Sequence, residues 1–332
     1  MRIGIIVNPS SGRDIRRLLA RASVFPTGEK INVVLRLLAS LGALDVGQAL
    51  IMPEGAGIAA AVAREAAAEG RRRGRPLPDV TPLAMPVTET AEDTARAVQL
   101  MCEAGVGAIA ILGGDGTHRV AAAHCGETPL LALSTGTNNA FPELREATTA
   151  GLAMGLAVAG AVPPSVALRR NKLLRVRYGD RQELALVDVC VARQPFLGAR
   201  AVWQPSDLSR LFVTFAEPRG IGLSSIAGWC LPVARADPWG AQLTFGPGGR
   251  VLAPIAPGLL ERVPVASAER LEPGAPVLLT TAVGTVALDG ERELELDPGE
   301  TLSVALDLAG PLTIDVDATL AHAARHGLLI GR

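Results

Sequence analysis

Short apolar runs alternate with helical patterns of hydrophobic positions along the first half of the chain. The predicted strands are Arg2 to Val7, Gln48 to Met52, Pro82 to Val87, Ala108 to Leu112 and Pro129 to Leu133. The predicted helices begin at about Asp14, Ile58, Ala91 and His118. Strands separated by helices of roughly ten to fifteen residues are typical of right-handed crossovers. We therefore expect an α/β domain with a mainly parallel sheet covered by helices on both faces.

From about Lys172 the pattern changes to alternating apolar and polar positions without a helical period. The alternating runs are Glu183 to Val191, Val277 to Leu288, Glu293 to Leu296 and Leu302 to Leu306. Such alternation predicts antiparallel β structure in a sandwich or in stacked sheets. Ala318 to Leu329 returns to a helical pattern. The predicted division is an α/β nucleotide-binding domain at 1–165, a β-rich substrate domain at 166–316 and a C-terminal helix at 317–332 that packs back on the first domain.

Length, charge and apolar content limit the kinds of molecule with which the protein is expected to associate. A chain of 332 residues with 48% hydrophobic side chains is long enough for two cores. Its 32 basic and 33 acidic residues give a net charge of -1, with no long basic block, so we expect no nucleic-acid partner. The longest apolar run, Leu152 to Leu168, is interrupted by two prolines and is too short to span a bilayer, which argues against an integral membrane protein.

The number and spacing of the cysteines indicate the redox state of the compartment in which the protein works. Four cysteines are widely spaced and form no Cys-x-x-Cys pair, and no secretory leader is recognised. This pattern predicts a reducing, cytoplasmic location. We further expect the protein to form homo-oligomers.

The segment Gly113-Gly114-Asp115-Gly116-Thr117 follows a buried-type strand directly and precedes a helical pattern. In a parallel sheet, ligands bind at the carboxyl ends of the strands, where helix amino-termini present unpaired N–H groups. Gly113, Gly114, Gly116 and Thr117 are therefore candidates to cradle phosphate. A carboxylate at Asp115 fits such a site if it holds Mg²⁺ or accepts a proton from an attacking hydroxyl. The alternative is a Gly-Asp-Gly turn that only joins strand to helix.

A second polar loop, Ser134 to Asn139, follows the next strand at the same predicted edge of the sheet. Asn138 and Asn139 offer donors and acceptors suited to a ribose or a base. A helix cap would explain one of these asparagines more readily than both.

These motifs resemble those of the superfamily of NAD kinases and of diacylglycerol or sphingosine-type lipid kinases. Within this superfamily, the sequence is most similar to the acetoin catabolism protein X branch of ATP-NAD kinase-like proteins. The similarity lies in Ile3 to Asp14, Gly113 to Arg119 and Ser134 to Pro142. The resemblance implies an α/β domain followed by a β-rich domain with nucleotide in the cleft between them. It also implies ATP-dependent phosphorylation of a hydroxyl, with Asp115 central to catalysis.

Two further segments extend this resemblance. The Asn8-Pro9-Ser10-Ser11-Gly12 loop is similar to that of the lipid kinases, so Asn8 is a predicted nucleotide-binding residue. Asp289-Gly290-Glu291 resembles a turn that lipid kinases of the superfamily bring to the active site. It implies Glu291 as a second acid or base and Asp289 as a metal ligand. The alternative for this turn is a simple Asp-Gly hairpin.

Other positions depart from the family pattern or suggest a rival. His118-Arg119 stands where lipid kinases usually have Asn-Glu, and Ala140 stands where NAD kinases carry an acid. Arg119 is predicted either to contact a phosphate or to lie exposed in solvent. Gly55 to Ala60 matches a dinucleotide fingerprint weakly, because no acid ends the following strand.

The sequence therefore predicts a kinase that uses ATP and Mg²⁺ to phosphorylate a hydroxyl of NAD or a related small molecule. Two alternatives remain open. One is a kinase of the same superfamily that acts on a lipid or another small alcohol, and the other is a nucleotide-binding regulator that does not catalyse a reaction.

Overall fold

The computed structural model describes residues 1–11, 25–73, 77–136, 138–194 and 205–331. The strands in these ranges are β1 (Arg2–Val7), β2 (Gln48–Ile51), β3 (Asp79–Pro82), β4 (Ile109–Gly113), β5 (Leu130–Ser134), β6 (Leu168–Arg170), β7 (Leu173–Tyr178), β8 (Arg181–Ala185), β9 (Asp188–Ala192), β10 (Leu208–Val213), β11 (Gly240–Ala256), β12 (Leu259–Leu271), β13 (Val277–Thr280), β14 (Gly284–Leu288), β15 (Glu291–Leu296), β16 (Thr301–Asp307) and β17 (Leu312–Ile314). The helices are α1 (Thr27–Gly42), α2 (Ile58–Arg73), α3 (Ala91–Glu103), α4 (Asp115–His124), α5 (Ala147–Val158), α6 (Pro164–Ala167), α7 (Leu223–Cys230) and α8 (Val316–Arg325).

The first sheet has the strand order β3-β2-β1-β4-β5-β17-β6 within the described residues. All neighbouring pairs are parallel except β17 with β6. Alternate side chains of β1 enter two cores, because successive residues of a strand face opposite sides. Ile5 packs in a cluster with residues of α1, α2 and α5, whereas Ile6 packs in a cluster with residues of α3 and α4. The predicted mainly parallel sheet with two covered faces is confirmed.

Two antiparallel sheets follow, with the orders β12-β11-β10-β9-β14-β15 and β13-β16-β7-β8 in the described part of the chain. One buried cluster takes side chains from both sheets, for example Val176 and Val304 from one and Phe212 and Val286 from the other. The two sheets therefore pack face to face, and the predicted β-rich second half is confirmed.

The chain returns to the first sheet near its end. β6 and β17 both belong to that sheet, and β17 pairs in parallel with β5 through Thr313 and Leu130. α8 follows β17 and packs against α5 and α6. The domain boundaries at 165 and 316 stay predictions.

Several sequence predictions were wrong in detail. The third strand is Asp79–Pro82 rather than Pro82 to Val87, because the parallel register pairs Gln48 with Asp79 and Ile51 with Pro82. The predicted helix-free second half contains α7, whose residues 223 to 228 are all buried and which packs against β11. The helix predicted from about Asp14 begins outside the described residues.

The helix after the glycine-rich turn was predicted from His118, but α4 begins at Asp115. No helix among the described residues is both long enough and apolar enough to cross a membrane.

Candidate functional site

The strand order places the candidate site at a reversal of the first sheet. β1, β2 and β3 extend the sheet in one direction, and the chain then crosses back so that β4 lies beside β1. The carboxyl ends of strands at such a switch point form a crevice in which ligands of open α/β sheets bind. The loops after β1 and β4 border this crevice.

The loop after β1 is held from both sides. The Asn8 side-chain amide donates to Thr117 Oγ1 at 2.8 Å, which joins this loop to the first turn of α4. The ammonium group of Lys30, which is buried, donates to the backbone carbonyls of Asn8 and Pro9 at 2.8 Å each and of Ser11 at 2.9 Å. The acceptors in these three bonds are all backbone carbonyls, so a buried ammonium group holds the loop through its backbone. Lys30 was not predicted as a site residue, because no motif in the sequence singles it out.

The glycine-rich segment after β4 is the tightest part of the site. A Cβ on Gly113 would lie 2.7 Å from the Thr117 side chain, and one on Gly114 would lie 2.9 Å from Asn139 Oδ1. Gly114 is the N-cap of α4 and provides no side-chain hydrogen bond to the helix. The N-cap residue of α4 therefore offers no side chain to the first N–H groups of the helix, and such a helix amino-terminus favours an anion.

Asp115 is the first residue of α4 and is held by the loop after β5. Its Oδ1 accepts from the Phe141 N–H at 2.8 Å, and the Ala140 N–H lies 3.0 to 3.1 Å from the two carboxylate oxygens. These bonds stabilise the ionised carboxylate and fix its orientation. The structure thus brings the two polar loops together through Asp115.

The two predicted asparagines lie in the same loop. The Asn139 amide donates to Ser134 Oγ at 2.7 Å, so this side chain braces the loop from within. Asn138 is half-buried in the preceding turn. Thr137, next to it, lies outside the described residues.

Asp289 and Gly290 form the two-residue turn of the β14–β15 hairpin, with φ of 51° and 81°. The predicted hairpin is therefore present, and its Asp-Gly sequence suits a type I′ turn. The turn also meets the site, because a Glu291 carboxylate oxygen lies 3.7 Å from where a Cβ on Gly116 would be. Glu291 is thus adjacent to the glycine-rich segment.

The carboxylate of Asp289 is fully buried within the second half of the chain. It accepts the N–H groups of Leu186, Val187 and Asp188 at 2.8 to 3.2 Å. Burial raises the pKa of Asp289 to about 7, with Asp115 adding to the rise and Arg119 opposing it. This geometry fixes the turn beneath Glu291, and the predicted role of Asp289 as a metal ligand stays a prediction.

The predicted solvent-exposed position of Arg119 is wrong, and its predicted contact with a phosphate stays a prediction. Its side chain is 12% exposed and its Nη2 lies 2.7 Å from Glu293, with Nε 3.8 Å from Asp289. Arg119 therefore ties α4 to the β14–β15 hairpin, because acidic side chains of the second half surround it. The neighbouring His118 is buried and contacts the Gly114 carbonyl through Nδ1 at 2.8 Å. Burial lowers the pKa of His118 to about 4, so it is neutral at physiological pH.

Arg235 also reaches this site and was not among the predicted site residues. Its Nη2 donates to the carbonyl oxygens of Ala140 and Phe141 at 2.6 and 3.1 Å. It lies on the segment between α7 and β11, and the only signal in the sequence is an isolated arginine among small residues.

In the segment that resembles a dinucleotide fingerprint, Gly55 to Ala60, backbone N–H groups already donate to a carboxylate of the protein itself. The Glu54 carboxylate accepts the N–H groups of Ala56 at 2.6 Å and Ala59 at 3.0 Å, at the start of α2. A diphosphate would have to displace this carboxylate. The structure therefore favours the α4 site over the one at Gly55 to Ala60.

Groups of three or more His, Cys, Asp or Glu side chains placed to hold a metal ion are absent from the described ranges. Mg²⁺ at phosphoryl-transfer sites is commonly bound by one or two carboxylates together with substrate phosphates, so it does not need such a group. The Asp115 carboxylate beside the uncapped start of α4 fits that mode of binding.

Comparisons with known proteins agree with this arrangement. Residues 3–159 match the ATP-NAD kinase N-terminal domain family, and residues 172–309 match the acetoin catabolism protein X C-terminal domain family. The chain is 46% identical over 338 residues to acetoin catabolism protein X of Cupriavidus necator, with 98% of this chain and 93% of that protein covered.

The structure of yeast NADH kinase complexed with NADH matches with a TM-score of 0.54 and 14% identity, covering 100% of this chain and 89% of that chain. At this identity the match shows a shared fold. The resemblance in the sequence is thereby confirmed: the chain belongs to the acetoin catabolism protein X family and has the NAD kinase-like fold.

Proposed function

We propose that the protein transfers the γ-phosphoryl group of ATP to a hydroxyl of NAD or a related small molecule. The observation that carries the proposal is the uncapped amino-terminus of α4, with the Asp115 carboxylate held beside it at the switch point of the sheet. A phosphate-binding helix end next to a fixed carboxylate supplies the two elements that phosphoryl transfer requires, which are charge stabilisation and positioning.

Bound ATP and Mg²⁺ would supply the transferable phosphoryl group and neutralise its charge. The N–H groups at the start of α4 would hold phosphate oxygens, with Gly113, Gly114, Gly116 and Thr117 forming the close-fitting backbone. Asp115 would hold Mg²⁺ and orient the acceptor hydroxyl, or accept its proton as the new O–P bond forms and the bond to ADP breaks. Asn8, Asn138 and Asn139 would contact the nucleotide.

Glu291 would serve as a second acid or base, because its hairpin brings it next to Gly116. That proximity also favours the second candidate function, a kinase for a lipid or another small alcohol, since the sequence resemblance at this turn is to the lipid kinases. The two candidates share the donor site and differ in the acceptor.

Other expectations about the protein stay predictions. These are a cytoplasmic location, a homo-oligomeric state and the absence of a nucleic-acid partner. All four cysteines are free thiols in the structure, as a reducing compartment would allow.

The test is ADP release from ATP and Mg²⁺ by purified protein, with and without NAD, with the product identified by mass. We expect NADP, and we expect Asp115→Asn to lower kcat by about a hundredfold to ten-thousandfold because it keeps the shape and removes the charge. Glu54→Gln is the matched control, since it changes a carboxylate at another glycine-rich helix start and should leave kcat unchanged.

Tight ATP binding with no product from NAD would contradict NAD as acceptor and direct the assay to other alcohols, including lipids. ATP binding with no product from any alcohol would support the regulator. Failure to bind ATP would contradict the donor site itself.

A further inference from the structure

β12 is an outer strand of the six-stranded sheet in the part of the chain that the structure describes, where β11 is its one paired neighbour. It is 13 residues long, from Leu259 to Leu271. The side of β12 that faces away from β11, here called the β12 edge, presents backbone N–H and C=O groups to which another strand can bind. The charged side chains along β12 indicate which strand fits there.

Two Glu-Arg pairs lie on either side of the centre of β12. They are Glu261-Arg262 and Glu269-Arg270, with an uncharged Val-Pro-Val-Ala-Ser-Ala segment between them. Glu261 is half-buried, and the other three side chains are exposed. Within the described ranges, none of the four takes part in an ion pair. Four charges of alternating sign are thus available to a partner.

A bulge at the centre of β12 determines the faces on which these charges lie. Thr244 of β11 pairs with Ser267 and Phe245 pairs with Val265, so Ala266 is an extra residue in β12. Successive side chains of a strand point to opposite faces of the sheet, so the extra residue shifts this alternation by one position.

The hydrophobic cluster around α7 shows the effect of the shift. Val263 and Val265 belong to this cluster and Ala268 packs against it, so the three side chains lie on the same face of the sheet on either side of the bulge. Glu261 is two positions before Val263, and Arg270 is two positions after Ala268. Glu261 and Arg270 therefore both lie on the α7 face.

The other two charges lie on the opposite face of the sheet. Glu269 is two positions before Leu271, which is buried in the cluster between the two antiparallel sheets. Arg262 lies between Glu261 and Val263, which both point to the α7 face, so Arg262 points away from it. Each face of β12 thus carries one acidic and one basic side chain.

A second copy of β12, running antiparallel to the first, would match these charges. The two Glu-Arg pairs are equidistant from the centre of the segment, so a two-fold axis there would place Glu261 opposite Arg270 of the other copy and Arg262 opposite Glu269. The members of each facing pair lie on the same face because of the bulge. Opposite charges that face each other stabilise antiparallel strands, and like charges destabilise them.

We propose that the β12 edge binds the β12 edge of a second copy of this chain, so that the two six-stranded sheets join into one continuous antiparallel sheet. Such a two-fold contact is self-complementary, because each copy contributes both members of the charge pairs. Pro264 has no N–H and Ala266 is the bulged residue, so the centre of the strand offers few hydrogen bonds. The flanking charges therefore determine the register.

The proposed contact lies away from the candidate site. The hairpin that carries Glu291 is at the other edge of the same sheet, since β14 and β15 end the strand order that begins with β12. A dimer formed through β12 leaves the α4 site uncovered. The inference is therefore independent of the proposed function, and its test does not require turnover.

Two charge-exchanged proteins test this register. The first carries Glu261→Arg with Arg262→Glu, and the second carries Glu269→Arg with Arg270→Glu. Each keeps the composition and net charge of the chain but would place like charges opposite one another in a homodimer. In a mixture of the two proteins, every facing pair is again of opposite charge, so the mixture should form a heterodimer.

The matched control exchanges a neighbouring charge pair elsewhere on the surface. Arg64→Glu with Glu65→Arg does this on α2, where both side chains are accessible to solvent. Sedimentation velocity of the full chain over a range of concentrations measures the dissociation constant of each dimer, and circular dichroism verifies that each variant is folded.

We expect the wild type and the α2 control to form dimers with the same dissociation constant. In each charge-exchanged protein alone, the dissociation constant should rise by about a hundredfold or more, because every facing pair changes from attraction to repulsion. In the equimolar mixture it should return to within about tenfold of the wild-type value.

A monomeric wild type would overturn the proposal, as would a dimer that neither charge exchange weakens. Exchanged proteins that stay monomeric when mixed would overturn it as well, since another cause would then explain their dissociation. If an exchanged protein does not fold, the single variants Arg262→Glu and Glu269→Arg replace the pair, because their mixture also restores opposite charges. No gain in association on mixing these two folded variants would likewise contradict the proposal.

Discussion

Two helices of the first domain begin in similar glycine-rich turns, and their amino-termini differ in one respect. α2 follows β2 through Gly55-Ala56-Gly57, and α4 follows β4 through Gly113 and Gly114. At α2 the protein's own Glu54 carboxylate accepts the N–H of Ala59 in the first turn of the helix and the N–H of Ala56 just before it. At α4 the cap is a glycine without a side chain to accept them.

The comparison shows that glycine spacing does not by itself identify an anion site. Both turns let the backbone bend sharply, and both helices present N–H groups at the carboxyl edge of a parallel sheet. The two helices differ in whether a carboxylate of the protein itself already accepts N–H groups at the helix start, as Glu54 does at α2. The unfilled end lies at the switch point between β1 and β4, where the fold also leaves a crevice.

Making α4 resemble α2 should have the largest effect. Gly114→Asp would place a carboxylate at the N-cap, where it would accept the first N–H groups and repel phosphate. We expect ATP affinity to fall about a hundredfold or more by calorimetry, with the free energy of unfolding changed by less than about 1 kcal/mol. Gly114→Ala is the control, since it adds the same Cβ near Asn139 without the charge. Equal losses of affinity in both variants would assign the effect to crowding.

Removing the cap of α2 should have a smaller effect. Glu54→Ala leaves one N–H group of the first turn and one just before the helix without their acceptor, so we expect the free energy of unfolding to fall by about 1 kcal/mol. ATP affinity should stay within about twofold of the wild-type value. Urea denaturation and calorimetry measure the two quantities. A gain in nucleotide affinity in this variant would show that α2 is a binding site that Glu54 blocks, contrary to the comparison.

The third prediction concerns Asp289, the buried carboxylate of the β14–β15 turn, which lies 3.8 Å from Arg119 of α4. Burial raises the folded-state pKa of Asp289 to about 7, above its ordinary value of 3.8. Between these values the folded protein binds a proton that the unfolded chain does not, so this stabilising contribution is lost as pH rises from about 4 to about 7. Asp289→Asn should remove that slope, since asparagine is uncharged and Asn-Gly also suits the turn.

The measurement is urea denaturation of the wild type and Asp289→Asn at a series of pH values. The wild type should lose stability relative to the variant as pH rises through this window. Parallel curves for the two proteins would show that Asp289 is not the source of the slope.

Much of the first domain could be predicted because its signals are local. β1 matches its predicted bounds, α3 begins at the predicted Ala91, and β2, β4 and β5 match to within one residue at each end. These signals were readable because continuous apolar runs and helical spacing are visible in short windows. The pairing of Asp115 with the loop after β5 also follows from strand adjacency, because β4 and β5 are parallel neighbours.

The remaining parts depend on contacts between distant residues. Arg235 is 95 positions from Ala140, and no pattern near it indicates that it reaches that carbonyl. The place of Arg119 could not be read from α4 alone, because the acidic partners come from a hairpin more than half the chain away. The third strand was misplaced because Leu83 and Met85 are apolar and pack beside the sheet, although the paired register with β2 ends at Pro82.

The position of β17 has a consequence for how the protein is made. This strand is the outer neighbour of β5, the strand that leads into the loop around Asp115, but it is not synthesised until residues 312–314. The sheet of the first domain therefore stays open at that edge until residues 312–314 have been translated. Until then the nascent chain would carry an unpaired outer edge of β5 beside the candidate site, and β17 covers that edge only after the β-rich region has emerged.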